Sequence, residues 1–386
     1  MMVLRQHAQI IYSEAIQQAL PDTAVEQALQ RACLGPGRIL LVSVGKAAWQ
    51  MAAAAIRTLE RRKIHSEGIV ITKYGHSRGD LPGMEILEAG HPVVDAASFA
   101  AAGKALERVE GLQPEDTVVF LLSGGGSALF EQSELPLEEL QDITDQLLAC
   151  GADIREMNCI RKRLSNVKGG RFAERCAPAK VLSIILSDVV GDQLDMIASG
   201  PTVVDTSTLD EALEIEARYH LRLSPLAKKL MERPLPTELP HVYNDICGSV
   251  AQLCQSAVRT CERLGYQTML LSDHIDTQAR LAGRELAERL VAARESGAPV
   301  ALVMGGETVV KLTGHGKGGR NQELALAAAP LLAGLPDTAI FSVGSDGTDG
   351  PTDAAGGFVD GSTMGRLADM GIEIPAVLQE NDGYHA

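Results

Sequence analysis

Aromatic residues are scarce in this chain, at 3% of 386 residues with a single tryptophan. That excludes an aromatic platform on which the bases of single-stranded nucleic acid would stack. Positive charge is in deficit too. The formal net charge of −15 argues against a polyanionic partner such as nucleic acid or an anionic membrane surface. A small anionic substrate stays open, because local clusters of Lys and Arg decide that. No apolar run reaches membrane-spanning length, and the amphipathic, charged N-terminus does not read as a signal peptide. The cysteines, at 33, 150, 159, 176, 247, 254 and 261, form no CxxC pair and read as buried small hydrophobes in a cytoplasmic protein. The glycine-rich turn Ser123 to Ser127 matches none of GxGxxG, GxxxxGK[ST] and GxSxG, and no GxGxxG opens a βαβ unit with an acidic residue about twenty positions on, so dinucleotide-binding, P-loop and serine-hydrolase readings lack support.

What is present is a repeated grammar of short β-rich runs, tight turns and helices, which predicts a doubly wound α/β fold. Strands are expected at 38–44, 67–72, 85–87, 116–122 and 180–186, and again, after a strand-like start at 246–250, at 266–271, 299–304 and 338–343. The length suits two domains, each with its own core. The Pro-rich stretch from Glu232 to Pro240 is the best linker. It would divide a larger Rossmann-like domain, 1–238, from a smaller α/β domain, 239–386, with the active site in the cleft between them.

Five loops look specialised. Gly45-Lys46 follows the first strand, where open parallel sheets bind ligands. A cation is unfavourable at a helix start, so Lys46 has either a functional role or solvent around it. Ser123-Gly124-Gly125-Gly126-Ser127 follows another strand, and its glycines let a phosphate approach the backbone. Ser165 to Arg171, with Asn166, Lys168 and Gly169, is basic and Gly-rich. Asp188 and Asp192 follow the 180–186 strand, which suits a divalent metal, a general base or a capping turn. Gly314 to Ala328 opens a helix with four glycines, Lys317 and Arg320. Such a loop offers N–H groups and the positive end of a helix dipole to an anion. Downstream, Asp346, Asp349 and Asp353 alternate with Gly and Thr, as a Mg²⁺ and phosphate loop or a helix-capping turn would. His91, before Pro92, reads equally as a base, a ligand or a loop-fixing residue.

Taken in order, these stretches resemble the class II glycerate kinases of the MOFRL family. The resemblance rests on Ser43 to Ala48, Glu88 to Pro92, Leu122 to Ala128, Ser165 to Arg171, Leu186 to Asp192, Ala198 to Thr202, Gly305 to Thr308, Gly319 to Glu323 and Gly344 to Gly356. It covers nearly the whole chain. It implies transfer of the γ-phosphoryl group of ATP to the 2-hydroxyl of D-glycerate, giving 2-phosphoglycerate, with Mg²⁺. Family members have also carried the label hydroxypyruvate reductase, so an NAD(P)H-dependent reductase is the alternative. On this reading Gly124 to Ser127 and Asn166 to Gly170, Lys168 included, cradle ATP phosphates. Lys46 and Arg320 serve catalysis and hold substrate, with Glu307 and Asp346 beside it. Asp188 acts as base or metal ligand, and Asp346 and Asp349 hold Mg²⁺. The expected partner is a small molecule, D-glycerate, with a homodimer as the candidate assembly. Two departures stand out. Val250 occupies a position where the family has Asn, and the family pattern continues beyond Ala386 with a further loop and an apolar strand. The C-terminal domain is therefore expected to lack an element.

Overall fold

β1 (Ile39–Val44) and β4 (Thr117–Leu122) are almost wholly apolar and buried along their whole length. A parallel sheet covered on both faces demands such strands. A computed structural model of the protein describes residues 2–187 and 193–386. In it these two strands lie side by side, with Val42 opposite Phe120. They form the middle of a six-stranded sheet completed by β2 (Ser66–Lys73), β3 (Met84–Ala89), β5 (Lys180–Leu186) and β6 (Val242–Cys247). The order is β3-β2-β1-β4-β5-β6 and every pair is parallel. The chain leaves β1 to one side and returns at β4 on the other. The crevice at the carboxyl ends of β1 and β4 is therefore the topological switch point, where such sheets take ligands.

Side-chain alternation divides the core between the two faces of the sheet. Val42, Val44, Phe120 and Leu122 face one layer with Phe130 and Phe172, while Leu41, Val119 and Leu121 face another with Met51 and Leu59. Phe120, Phe130 and Phe172 pack with ring centroids 4.8–5.8 Å apart.

Two compact units make up the chain, Leu20–Ser249 and Met1–Ala19 with Val250–Ala386. Both edges differ from the expected boundary at 238. β6 joins the first unit because its backbone pairs with β5 from Val242 to Cys247, so the Pro-rich stretch lies inside that unit. The helix Met2–Ala19 joins the second unit, although it opens the chain. There His7 Nδ1 lies 2.7 Å from the Tyr266 hydroxyl, Glu14 accepts from Thr260 at 2.9 Å, and Arg5 stacks over Phe358. Its apolar pattern shows that one face is buried, but not against what.

In that second unit β7 (Gln267–Ile275) pairs in parallel with β8 (Val300–Gly306), and β9 (Ala339–Val343) pairs antiparallel with β10 (Gly356–Asp360). The helices Ala279–Ala293 and Arg320–Leu332 share an Ala-rich core. Gly283 carries no Cβ because one there would overlap the Leu324 carbonyl of the crossing helix. An apolar cavity of about 870 Å³ adjoins β8 and β9, lined also by Ile11, Tyr12 and Cys254. Among the described residues no helix is long and apolar enough to cross a membrane. Deleting residues 2–19 should speed hydrogen exchange in the helix Val250–Arg263 and in β9, and leave β1 and β4 as protected as before. Faster exchange in β1 and β4 alone would contradict the assignment of this helix.

Candidate functional site

At the switch point the two turns are tied to each other. Ser123 N donates to Val44 O and Lys46 N to Gly124 O, both at 2.9 Å. The Ser123 hydroxyl accepts from Ala47 N at 3.1 Å, and Thr72 Oγ1 donates to Gly45 O at 3.0 Å. Gly45 sits at φ +121 against Ser123, where a side chain would overlap that residue. The strap turns Lys46 out of the sheet layer. It is exposed, and no carboxylate pairs with it among the described residues.

Gly125, at φ +87, lies opposite. A Cβ there would stand 3.4 Å from Lys46 Cε and 3.2 Å from His91 Nε2. Lys46, His91 and the Gly-rich turn thus meet in one place. Among the described residues the N–H groups of Gly124 to Ser127 donate to no backbone oxygen. Behind the turn, Gly126 packs on Ala198, and the Ser127 hydroxyl lies 3.3 Å from that of Ser199. Ser199 in turn donates to Asn158 Oδ1 at 2.9 Å. Ala198 and Ser199 both hold positive φ, a strained conformation that a surrounding structure must impose. Sequence reasoning missed Asn158, and Ala198 and Ser199 entered it only as part of a turn of small residues.

The basic loop 165–171 has a different job from the expected one. Asn166 N donates to Gln132 O, Val167 and Lys168 N to the Ser165 hydroxyl, Gly169 N to Ser199 O and Gly170 N to Gly200 O. No backbone donor from 166 to 170 is left for a phosphate. The Asn166 side chain joins Gln132 and Arg233. Lys168 is fully buried, paired with Glu131, whose other oxygen accepts from Ser165 at 2.6 Å. Burial pulls the Lys168 ammonium down to about 8, with the Glu131 charge opposing that shift. Lys168 and Asn166 are therefore corrected from phosphate ligands to ties within the fold, to Glu131 and to Gln132 and Arg233, and Gly169 to a tie that holds the 198–200 turn.

The Gly314–Ala328 stretch is corrected in the same way. The helix Arg320–Leu332 does present an N-terminus to an anion, but the anion is internal. Asp349 accepts from Asn321 N at 3.0 Å and Gln322 N at 2.8 Å, and it is buried. Its carboxylate is thus a cap, not an open metal ligand. Gly314 and Gly316 lack side chains because Glu380 and Asp382 pack against them, and Gly319 because Asp349 does. Lys317 stacks over Tyr384, 4.3 Å from the ring centre, rather than pointing into solvent. Arg320 is half-exposed at the helix start and pairs with Glu307. Asp346 is exposed and accepts the Thr348 N–H at 3.1 Å. Val250 opens the helix Val250–Arg263, beside Gly305. Asp188 and Asp192 lie outside the described residues, and among those described no cluster of three metal-ligating side chains occurs.

Breaking the buried pair tests its structural role. Lys168→Met alone or Glu131→Leu alone should each cost about 3–5 kcal/mol, because each leaves an uncompensated buried charge. The double variant should recover most of that loss in a double-mutant cycle read by denaturant unfolding. Equal, additive losses would contradict the pairing.

Two family models match the chain: a domain of unknown function (DUF4147) over residues 7–232 and the MOFRL family over residues 300–386. The chain is 46% identical to the D-glycerate 2-kinase of Thermotoga maritima over 382 residues, covering 97% of this chain and 91% of that one. It is 38% identical to a putative hydroxypyruvate reductase of Agrobacterium vitis, covering 99% and 89%. The crystal structure of a glycerate kinase from Thermotoga maritima superposes with a TM-score of 0.95 at 45% identity, covering 100% of this chain and 94% of that one. With both family models matched in order along one chain, this protein belongs to the MOFRL family of class II glycerate kinases.

Proposed function

We propose that this protein phosphorylates D-glycerate at the 2-hydroxyl with ATP, giving 2-phospho-D-glycerate and ADP. The observation that carries this reading is the strapped pair of turns at the switch point. They place an exposed cation, Lys46, with no carboxylate partner among the described residues, beside a Gly-rich turn whose N–H groups find no backbone acceptor among them. Phosphoryl transfer asks a protein mainly for positioning and charge neutralisation. In the reaction a bond forms between the glycerate O2 and the γ-phosphorus, the bond from that phosphorus to the β,γ-bridging oxygen breaks, and the hydroxyl proton passes to a base.

The residues divide as follows. Gly124 to Ser127 donate N–H groups to the donor's phosphates, and Lys46 neutralises charge on the moving phosphoryl group. Arg320, whose planar fork matches a carboxylate, binds that end of glycerate, and Glu307 holds the fork in place. Asp188 is assigned as the base on sequence grounds alone. Mg²⁺, which screens phosphate charge when bound, fits the exposed Asp346 carboxylate as one protein ligand, since Mg²⁺ in such sites leans on phosphates and water for the rest. Seven free cysteines suit a reducing compartment, and we place the enzyme in the cytoplasm.

The reductase reading has one point in its favour, a strand order used by dinucleotide-binding sheets. The turn after β1 lacks the GxGxxG that such sheets use for the pyrophosphate. The two readings separate in one set of assays: coupled ADP release with D-glycerate, ³¹P NMR of the product, and NADH oxidation with hydroxypyruvate. ADP release and a phosphate on O2 are expected, with no NADH consumed. Lys46→Ala and Arg320→Ala should each lower turnover about 100- to 1,000-fold with unchanged circular dichroism. Near-normal phosphorylation by both variants would overturn the assignment.

A further inference from the structure

The helix Ile154–Leu164 ends in three consecutive cations, Arg161, Lys162 and Arg163. Two are matched by partners. Lys162 is buried between Asp195 at 3.2 Å and Asp205 at 3.0 Å. Arg163 is buried and donates to Ser207 O at 2.9 Å and Met231 O at 3.3 Å. Arg161 is half-buried and pairs with no carboxylate among the described residues. Its hydrogen bond is a long one, from NH2 to Ser127 O at 3.3 Å. A guanidinium has five donors and a permanent charge, and among the described residues Arg161 has one acceptor, so its remaining donors are open to water or a ligand.

The place where that charge sits is the second observation. Ser127 closes the Gly-rich turn, and its hydroxyl is held from behind by Ser199 and Asn158. Lys46 and His91 border the same turn at Gly125. The Arg161 charge also reaches Lys168, where it contributes to lowering that ammonium. Lys168 itself is neutralised by Glu131. Arg161 and Lys46 are then cations bordering one turn, neither matched by a carboxylate among the described residues.

We propose that Arg161 is a direct ligand for the polyphosphate chain of the phosphoryl donor at the Gly124–Ser127 turn. Its carbonyl contact with Ser127 aims the fork, and the Ser127–Ser199–Asn158 chain keeps that carbonyl in position. This rests on the reading that the turn takes a nucleotide's phosphates. It adds a residue that a basic helical run would otherwise leave to solvent.

The test is calorimetric titration of the full-length protein with ADP and, separately, with adenosine. Arg161→Met should weaken ADP binding about 10- to 100-fold, the range for charge-assisted hydrogen bonds, and leave adenosine binding unchanged. Arg161→Gln keeps a donor for Ser127 O but loses the charge, and it should weaken ADP binding to a similar degree. Arg155→Met, on the exposed side of the same helix, should match the wild type. Wild-type ADP affinity in Arg161→Gln would overturn the proposal, since the carbonyl contact alone would then suffice. So would an equal loss of ADP and adenosine affinity. A wild-type protein that binds no ADP would overturn the nucleotide reading itself along with the proposal.

Discussion

Neighbouring parallel strands β1 and β4 end at the same level, and their two following turns have no room to move independently. Ser123 N on Val44 O, Lys46 N on Gly124 O and Ala47 N on the Ser123 hydroxyl bind one turn to the other. Much else in the Leu20–Ser249 unit follows from that constraint. Gly45 must be glycine to let Ser123 approach. Lys46 is turned outward, and the glycines after Ser123 keep their N–H groups clear of the sheet. The Phe120, Phe130 and Phe172 cluster below gives β4 a rigid base.

A second theme is that this protein answers several of its own anion sites. The start of the helix Arg320–Leu332 is capped by Asp349, and the Lys168 ammonium is matched by Glu131. Lys162 lies between Asp195 and Asp205. An internal carboxylate at such a place removes it from ligand binding, because the donors are already satisfied and the charge is neutralised. What remains open is informative by contrast: Lys46 and Arg161, beside the Gly124–Ser127 turn, have no carboxylate partner among the described residues. The same residue types serve structure in one loop and face outward in another, and the partner carboxylates make the difference.

The strands of the first unit were legible because buried parallel strands are near-continuous apolar runs, as Val118 to Leu122 is and, but for Ser183, Val181 to Ile185. β6 was read only from Ile246 onward, because Asn244 and Asp245 interrupt its pattern at a sheet edge. The packing partner of the first helix was not legible, since amphipathic spacing carries no address. Glycine-rich loops were found correctly as places of close approach, yet glycine does not say what approaches. At Gly125 it is the Lys46 and His91 side chains, and at Gly314 and Gly316 it is the chain's own 380–382 segment. Burial of Lys162, Arg163 and Lys168 was hidden for the same reason. Glu131 lies 37 residues from Lys168, and Asp205 lies 43 from Lys162. No local pattern links charges so far apart in the chain.

The central claim is that phosphate meets the chain at the turn after β4 and not at its other Gly-rich loops. Glycine-selective ¹⁵N labelling of the whole protein, titrated with ADP, reads this directly. The account predicts amide shifts at Gly124, Gly125 and Gly126, with Gly169, Gly170, Gly316 and Gly318 unmoved. Shifts at Gly169 and Gly170, with Gly124 to Gly126 silent, would contradict it.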